Sequence, residues 1–120
     1  MHNQDWWKSL FASIDGKDTA AFLDFLTDDA EFRFANSPPA MGREAIGAAV
    51  SGFFGAIAAS RHLVHRTWED ADSAACHGDV TYTRLDGRQI TVPFVNVFYF
   101  RGEKIARYLI HIDLAPLFAP

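Results

Sequence analysis

The chain's hydrophobic period is mostly helical in its first half and two in its second. Over residues 4–14 (QDWWKSLFASI), Trp7, Leu10, Phe11 and Ile14 recur at helical spacing and predict a first helix. "DGKD" at 15–18 breaks it, and Asp18 or Thr19 can cap a second helix running to Leu26. Phe22, Leu23, Phe25 and Leu26 make that helix apolar nearly all round, which predicts burial. "AEFRFA" (30–35) alternates as a short strand, and the consecutive prolines of "NSPPAMG" (36–42) require a loop. "REAIGAAVSGFFGAIAA" (43–59) predicts a third helix, whose glycines at 47, 52 and 55 would permit close packing against a sheet. From Arg61 onward the period is two, with strands expected near 61–69, 73–84, 88–100 and 104–113 and "LAPLFAP" as a capping tail. Helices followed by an antiparallel meander define an α+β domain.

The hairpins assign faces. Asp86-Gly87 is a two-residue hairpin signal of the type that needs positive φ at both positions. That loop pairs Thr83 with Ile90, Asp79 with Phe94 and His77 with Asn96, and directly opposed Cβ atoms lie about 5 Å apart. The next turn, "RGE" at 101–103, admits two registers. A three-residue loop sets Tyr108 beside Asn96, whereas a two-residue loop sets Leu109 there and brings His111 round. Ala106, Tyr108, Ile110 and Ile112 form the more apolar face, and Arg107, His111 and Asp113 the wetter one, which favours the first. His77, Asn96 and Tyr108 then cross three strands on one concave apolar face, with Asp79 beside them.

Composition narrows the class. At 120 residues the chain is one domain, 1–120, and its eleven phenylalanines suit a cavity as well as a core. A formal net charge of −4 with no Lys/Arg cluster argues against nucleic acid. The lone Cys76 excludes an internal disulfide and fits a reducing cytoplasm. The N-terminus lacks a signal-peptide pattern, and no stretch reaches the ~18 apolar residues of a membrane span.

Few motifs carry chemistry by themselves. His77 beside Asp79 reads either as an acid/base pair or as a solvated strand face. Asn96, flanked by Val95 and Val97, needs partners, which a structural hydrogen bond or a ligand could equally supply. Tyr108 reads as a packed tyrosine or as an acid. His62 and His65 are three apart, so at most one of them faces inward on a strand, and a metal pair is not expected. No zinc-ligand spacing, phosphate loop or nucleophile elbow is present, so neither metal nor cofactor is expected.

The order of elements, with "DDAEF", "PPAMGREAI", "VNVFYF" and "ARYLIHIDLAPLF", resembles the nuclear transport factor 2-like superfamily over almost the whole chain. That group includes ketosteroid isomerases, SnoaL-type polyketide cyclases and limonene epoxide hydrolases. The resemblance implies a strongly curved, antiparallel-rich sheet wrapped around three N-terminal helices as a cone with a deep apolar pocket. It also implies a homodimer formed through the outer sheet face. Matched to the isomerase pattern, Leu10 takes the place of the oxyanion tyrosine, the base falls at or near Phe34, and Asn96 takes the place of the second oxyanion donor. Matched to the epoxide hydrolase pattern, His77-Gly78-Asp79 replaces its Arg-x-Asp and Ile110 its second aspartate.

These readings converge on a pocket for a small apolar or polycyclic, oxygenated molecule. His77 and Asp79 are expected to be its catalytic acid/base pair. Asn96, Tyr108, Phe94, Phe98, Ile110, Phe34, Ile14 and His62 are expected to contact the ligand. Isomerase, cyclase and hydratase chemistries stay open beside a non-catalytic binding protein and a dimeric interaction module.

Overall fold

The computed structural model describes residues 2–120. Helix α1 spans Gln4–Asp15, and the Asn3 side chain caps it by accepting from the Trp6 N–H at 3.0 Å. Trp7, Leu10 and Phe11 form its buried face, as their spacing predicts. Helix α2, Thr19–Leu23, is capped by Asp18 and stops short of the expected Leu26. Leu26 instead opens strand β1 (Leu26–Phe34) and pairs with Ile105. After the two-residue strand β2 (Ala40–Met41) comes α3, Arg43–Ala56, which buries Ile46, Val50 and Phe54 one turn apart. Of its glycines only Gly47 meets a neighbour, and that neighbour is Leu23 of α2 rather than the sheet.

Strands β3 (Ala59–Glu69), β4 (Ser73–Thr83), β5 (Gln89–Arg101) and β6 (Lys104–Ile112) form the meander. The short turn α4 (Ala115–Phe118) follows, and Arg84 holds it by donating to the Leu117 carbonyl at 3.2 Å. The sheet runs β2-β1-β6-β5-β4-β3, with β1 parallel to β6 and the other neighbours antiparallel. It is curved and unclosed, and the helices pack on its inner face around one apolar core. This is the α+β architecture predicted from the sequence.

Bulges supply the bend. In β3 an extra residue, His65, interrupts the ladder between Val64 and Arg66. Facing that irregularity is Gly78, where an added Cβ would lie 2.2 Å from the Leu63 carbonyl oxygen. Only glycine lets β3 and β4 approach so closely at this point.

The β4–β5 turn overturns the predicted register. The Gly87 N–H donates to the Arg84 carbonyl at 2.9 Å, and the Arg84 N–H to the Arg88 carbonyl at 2.7 Å. Leu85 and Asp86 therefore form the middle of the turn, with Gly87 following at φ +89. Asp86 lacks the positive φ that a two-residue loop demands of it, and the loop gains one residue. Cys76, not His77, then faces Asn96, and Gly78, not Asp79, faces Phe94. A slip of one residue turns every side chain of a strand over.

The β5–β6 turn is the two-residue Gly102-Glu103, where the three-residue loop was expected. A bulge beyond Tyr99 adds one more residue of offset and restores the predicted faces. Tyr108 thus stands opposite Phe98, and Ile110 opposite Asn96.

Candidate active site

The inner faces of the sheet and the helices enclose a pocket partly open to solvent. Its walls are aromatic: Phe22 from α2, Phe32 and Phe34 from β1, Phe53 and Phe54 from α3, and Phe94 from β5. Ile14, Val50, Ile110 and Ile112 complete the apolar lining, into which Ser60, His62, Tyr82, Asn96 and Tyr108 bring polar atoms. Its volume is about 50 Å³, against roughly 150 Å³ for a dry cavity that takes up benzene. A ring can enter only if the phenylalanine walls give way.

One wall carries a polar constellation that the sequence reading did not assemble. Asp15, at the end of α1, accepts from the Ser60 hydroxyl at 2.8 Å and from the His62 backbone N–H at 2.9 Å. Its Oδ1 also lies 2.6 Å from His62 Nδ1. The His62 ring packs against Phe11 at 5.0 Å and edge-on to Phe94 at 5.2 Å between centroids. Burial by itself would raise the Asp15 pKa. The His62 ring hydrogen bond and charge, the His62 N–H and the Ser60 hydroxyl outweigh it and hold the carboxyl below its usual range. An ionised carboxylate only accepts hydrogen bonds, so Nδ1 carries the proton. His62 Nε2 is left without a partner among the described residues.

A signal for Asp15 was present in the sequence. An acidic residue in the last turn of a helix opposes the helix dipole at a cost of about 0.3–1 kcal/mol, and no basic residue in that turn offsets it. Here that carboxylate is held by Ser60 and His62 of β3. Which residue holds it depends on the β3 register, which no local pattern reveals.

Farther along the inner face of the same sheet, β5 and β6 bring Asn96 and Tyr108 to the pocket. Asn96 is 2% exposed, and its Nδ2 donates to the Tyr108 hydroxyl over a long 3.5 Å. Burial pushes the Tyr108 hydroxyl well above its ordinary pKa and, with the Asp15 charge adding to it, raises Tyr82 too. Both phenols keep their protons through the neutral range. Burial likewise pushes the Cys76 thiol to about 12, so no thiolate nucleophile forms there.

Asn96, Tyr108, Phe94, Ile110, Phe34, Ile14 and His62 all line the pocket. Phe98 does not. It is fully buried behind the lining, stacked on Trp7 at 5.6 Å and against Tyr108 at 4.4 Å. His77 and Asp79 stand on the outer face because of the β4 register. His77 is exposed there, and Asp79 pairs with His65 Nε2 at 2.9 Å. His65 also faces outward, so His62 is the inward histidine of its pair. Leu10 is fully buried and Phe34 is an apolar wall, which leaves the isomerase tyrosine and base without equivalents at those positions. Among the described residues, no group of three or more His, Cys, Asp or Glu is placed to hold a metal ion. No helix among them is long and apolar enough to cross a membrane.

Comparison with known proteins places the chain in a family. The SnoaL-like domain model matches residues 7–108, and the chain belongs to that family. No curated protein matches it. Among solved structures, a nuclear transport factor 2-like protein of unknown function from Burkholderia pseudomallei superposes with a TM-score of 0.87 at 19% identity, covering 98% of this chain and 95% of that one. TerC, co-crystallised with polyporic acid, gives 0.82 at 18% identity over 94% and 92% of the two chains. A candidate polyketide cyclase from Pseudomonas putida gives 0.80 at 20% identity over 95% and 93%. At these identities the likeness is one of fold.

Proposed function

We propose that this SnoaL-like chain, read as one domain over 1–120, is a cofactor-independent acid–base enzyme of isomerase, cyclase or hydratase type. Its substrate is a small, apolar, cyclic, oxygenated molecule, and His62 moves the proton. The observation that carries this reading is the 2.6 Å contact of Asp15 with His62 Nδ1 on the wall of an apolar pocket. Asp15 fixes the tautomer and stabilises the positive charge the ring gains, so Nε2 is the basic nitrogen. A proton leaves a substrate carbon for Nε2, the electron pair moves onto the adjacent carbonyl oxygen, and the Tyr108 hydroxyl hydrogen-bonds that oxygen. Return of the proton at another atom completes an isomerisation; attack of the carbanion on a second carbonyl, whose oxygen then takes the proton back from Nε2, completes a cyclisation. The polyporic acid held by TerC and the polyketide cyclase candidate support a ring substrate.

The catalytic role expected of His77 and Asp79 passes in this reading to His62 and Asp15. A second copy of the chain covers the outer sheet face, where Leu63 (62% exposed), Tyr99 (41%) and Val95 (36%) present apolar surface. The single cysteine, fully buried, supports a reducing, cytoplasmic setting.

The test is deuterium incorporation into 2-tetralone in D2O, followed by proton NMR. Exchange faster than the protein-free rate, and lost in His62→Gln, is expected. A wild-type rate equal to the blank for this and related cyclic ketones would favour a binding protein over an enzyme.

A further inference from the structure

Asn96 sets an amide among apolar neighbours. It sits between Val95 and Val97, faces the pocket and stands opposite Cys76 on one side and Ile110 on the other. Its Oδ1 is buried and has no hydrogen-bond partner among the described residues. A buried carbonyl oxygen left dry is costly, so native structures seldom tolerate one without a role. Beside it, the Tyr108 hydroxyl accepts from Asn96 Nδ2 and has no acceptor for its own proton among the described residues. The pocket therefore presents a free acceptor and a free donor side by side.

Ligand oxygens differ in how they meet that pair. A ketone or an ether oxygen accepts from Tyr108 but leaves Asn96 Oδ1 unpaired. A carboxylate, which has no proton to donate, also leaves Asn96 Oδ1 unpaired. A hydroxyl accepts from Tyr108 and donates to Asn96, which satisfies both. We infer that the pocket selects a ring bearing a free hydroxyl, a phenol or an enol, seated on Asn96 Oδ1 and Tyr108. This rests on the reading of the pocket as a ligand site and adds the polarity of the group it recognises.

Phenol and anisole separate the possibilities, because they share a ring and only phenol donates. Each is titrated into the full chain at neutral pH. Binding is followed through the Asn96 side-chain amide and the Ile110 and Ile112 methyl resonances, which report the pocket itself. Phenol is expected to bind roughly tenfold or more tighter, although anisole is the more apolar, because an unpaired buried acceptor is penalised. In Asn96→Leu the order should reverse, with both compounds still bound. If that variant does not fold, the wild-type ratio decides alone. Equal affinities, or tighter anisole, would overturn the inference while leaving the pocket a ligand site; that result would mean the amide turns its NH2 inward. Binding of neither compound at these resonances would overturn the ring pocket and this inference together.

Discussion

Asp15 and His62 lie 47 positions apart in the chain and meet at 2.6 Å, joining the end of α1 to the inner face of β3. The contact fixes which imidazole nitrogen is free and ties the first helix to the sheet at the pocket wall. Asp15 thus serves both the chemistry proposed for the site and the stability of the fold, and substitutions can separate the two.

Asp15→Asn keeps the shape but removes the carboxylate that orders the ring. The 2-tetralone exchange rate should fall by roughly a hundredfold or more, while the dissociation constant for phenol changes by less than about threefold, since Asp15 does not line the pocket. Parallel rate and NMR binding titrations check this. Equal losses in both would mark a purely structural residue.

The lowered Asp15 pKa makes a prediction about acid stability. A group whose pKa is depressed on folding stabilises the native state above its unfolded pKa, about 4 for a carboxyl. That contribution fades as pH falls through the lower folded value. Urea midpoints of the wild type and Asp15→Asn should differ most at pH 6 and draw together toward pH 3. A gap of constant size would show that the carboxylate's charge contributes nothing.

Gly78→Ala tests the source of the bend. The new methyl would fall 2.2 Å from the Leu63 carbonyl oxygen, a backbone atom of the neighbouring strand that cannot swing away. A loss of about 1–3 kcal/mol, or outright failure to fold, is expected in thermal and denaturant unfolding. Gly52→Ala on α3, where nothing lies within 4 Å, should be neutral or stabilising in the same assays. Unchanged stability in Gly78→Ala would show that β3 can shift, and that the close approach is not required.

Much of the architecture was legible because it depends on hydrophobic period alone. Trp7, Leu10 and Phe11, or Ile46, Val50 and Phe54, declare a helix face wherever the chain goes next. Tyr108 was placed on the correct face by the apolar character of its neighbours, although a shorter loop and a bulge together replaced the loop expected. His77 had no such safeguard. Its face depended on whether Asp86-Gly87 was the whole turn or the end of a longer one, and both conformations use an Asp-Gly pair. On the other strand of that hairpin, Phe94 and Asn96 were expected inward and line the pocket. The Asp15–His62 contact was hidden for a different reason. It joins two elements whose relative placement is set by the whole core, and neither residue carries a motif.

The central claim is that proton transfer belongs to the inner histidine. The most direct test compares His62→Gln with His77→Gln in a single 2-tetralone exchange assay, with equal folding confirmed by circular dichroism. The account predicts that exchange collapses toward the protein-free rate in His62→Gln and stays at the wild-type rate in His77→Gln. The reverse pattern, with His77→Gln inactive and His62→Gln intact, would contradict it and move the chemistry to the outer face of the sheet.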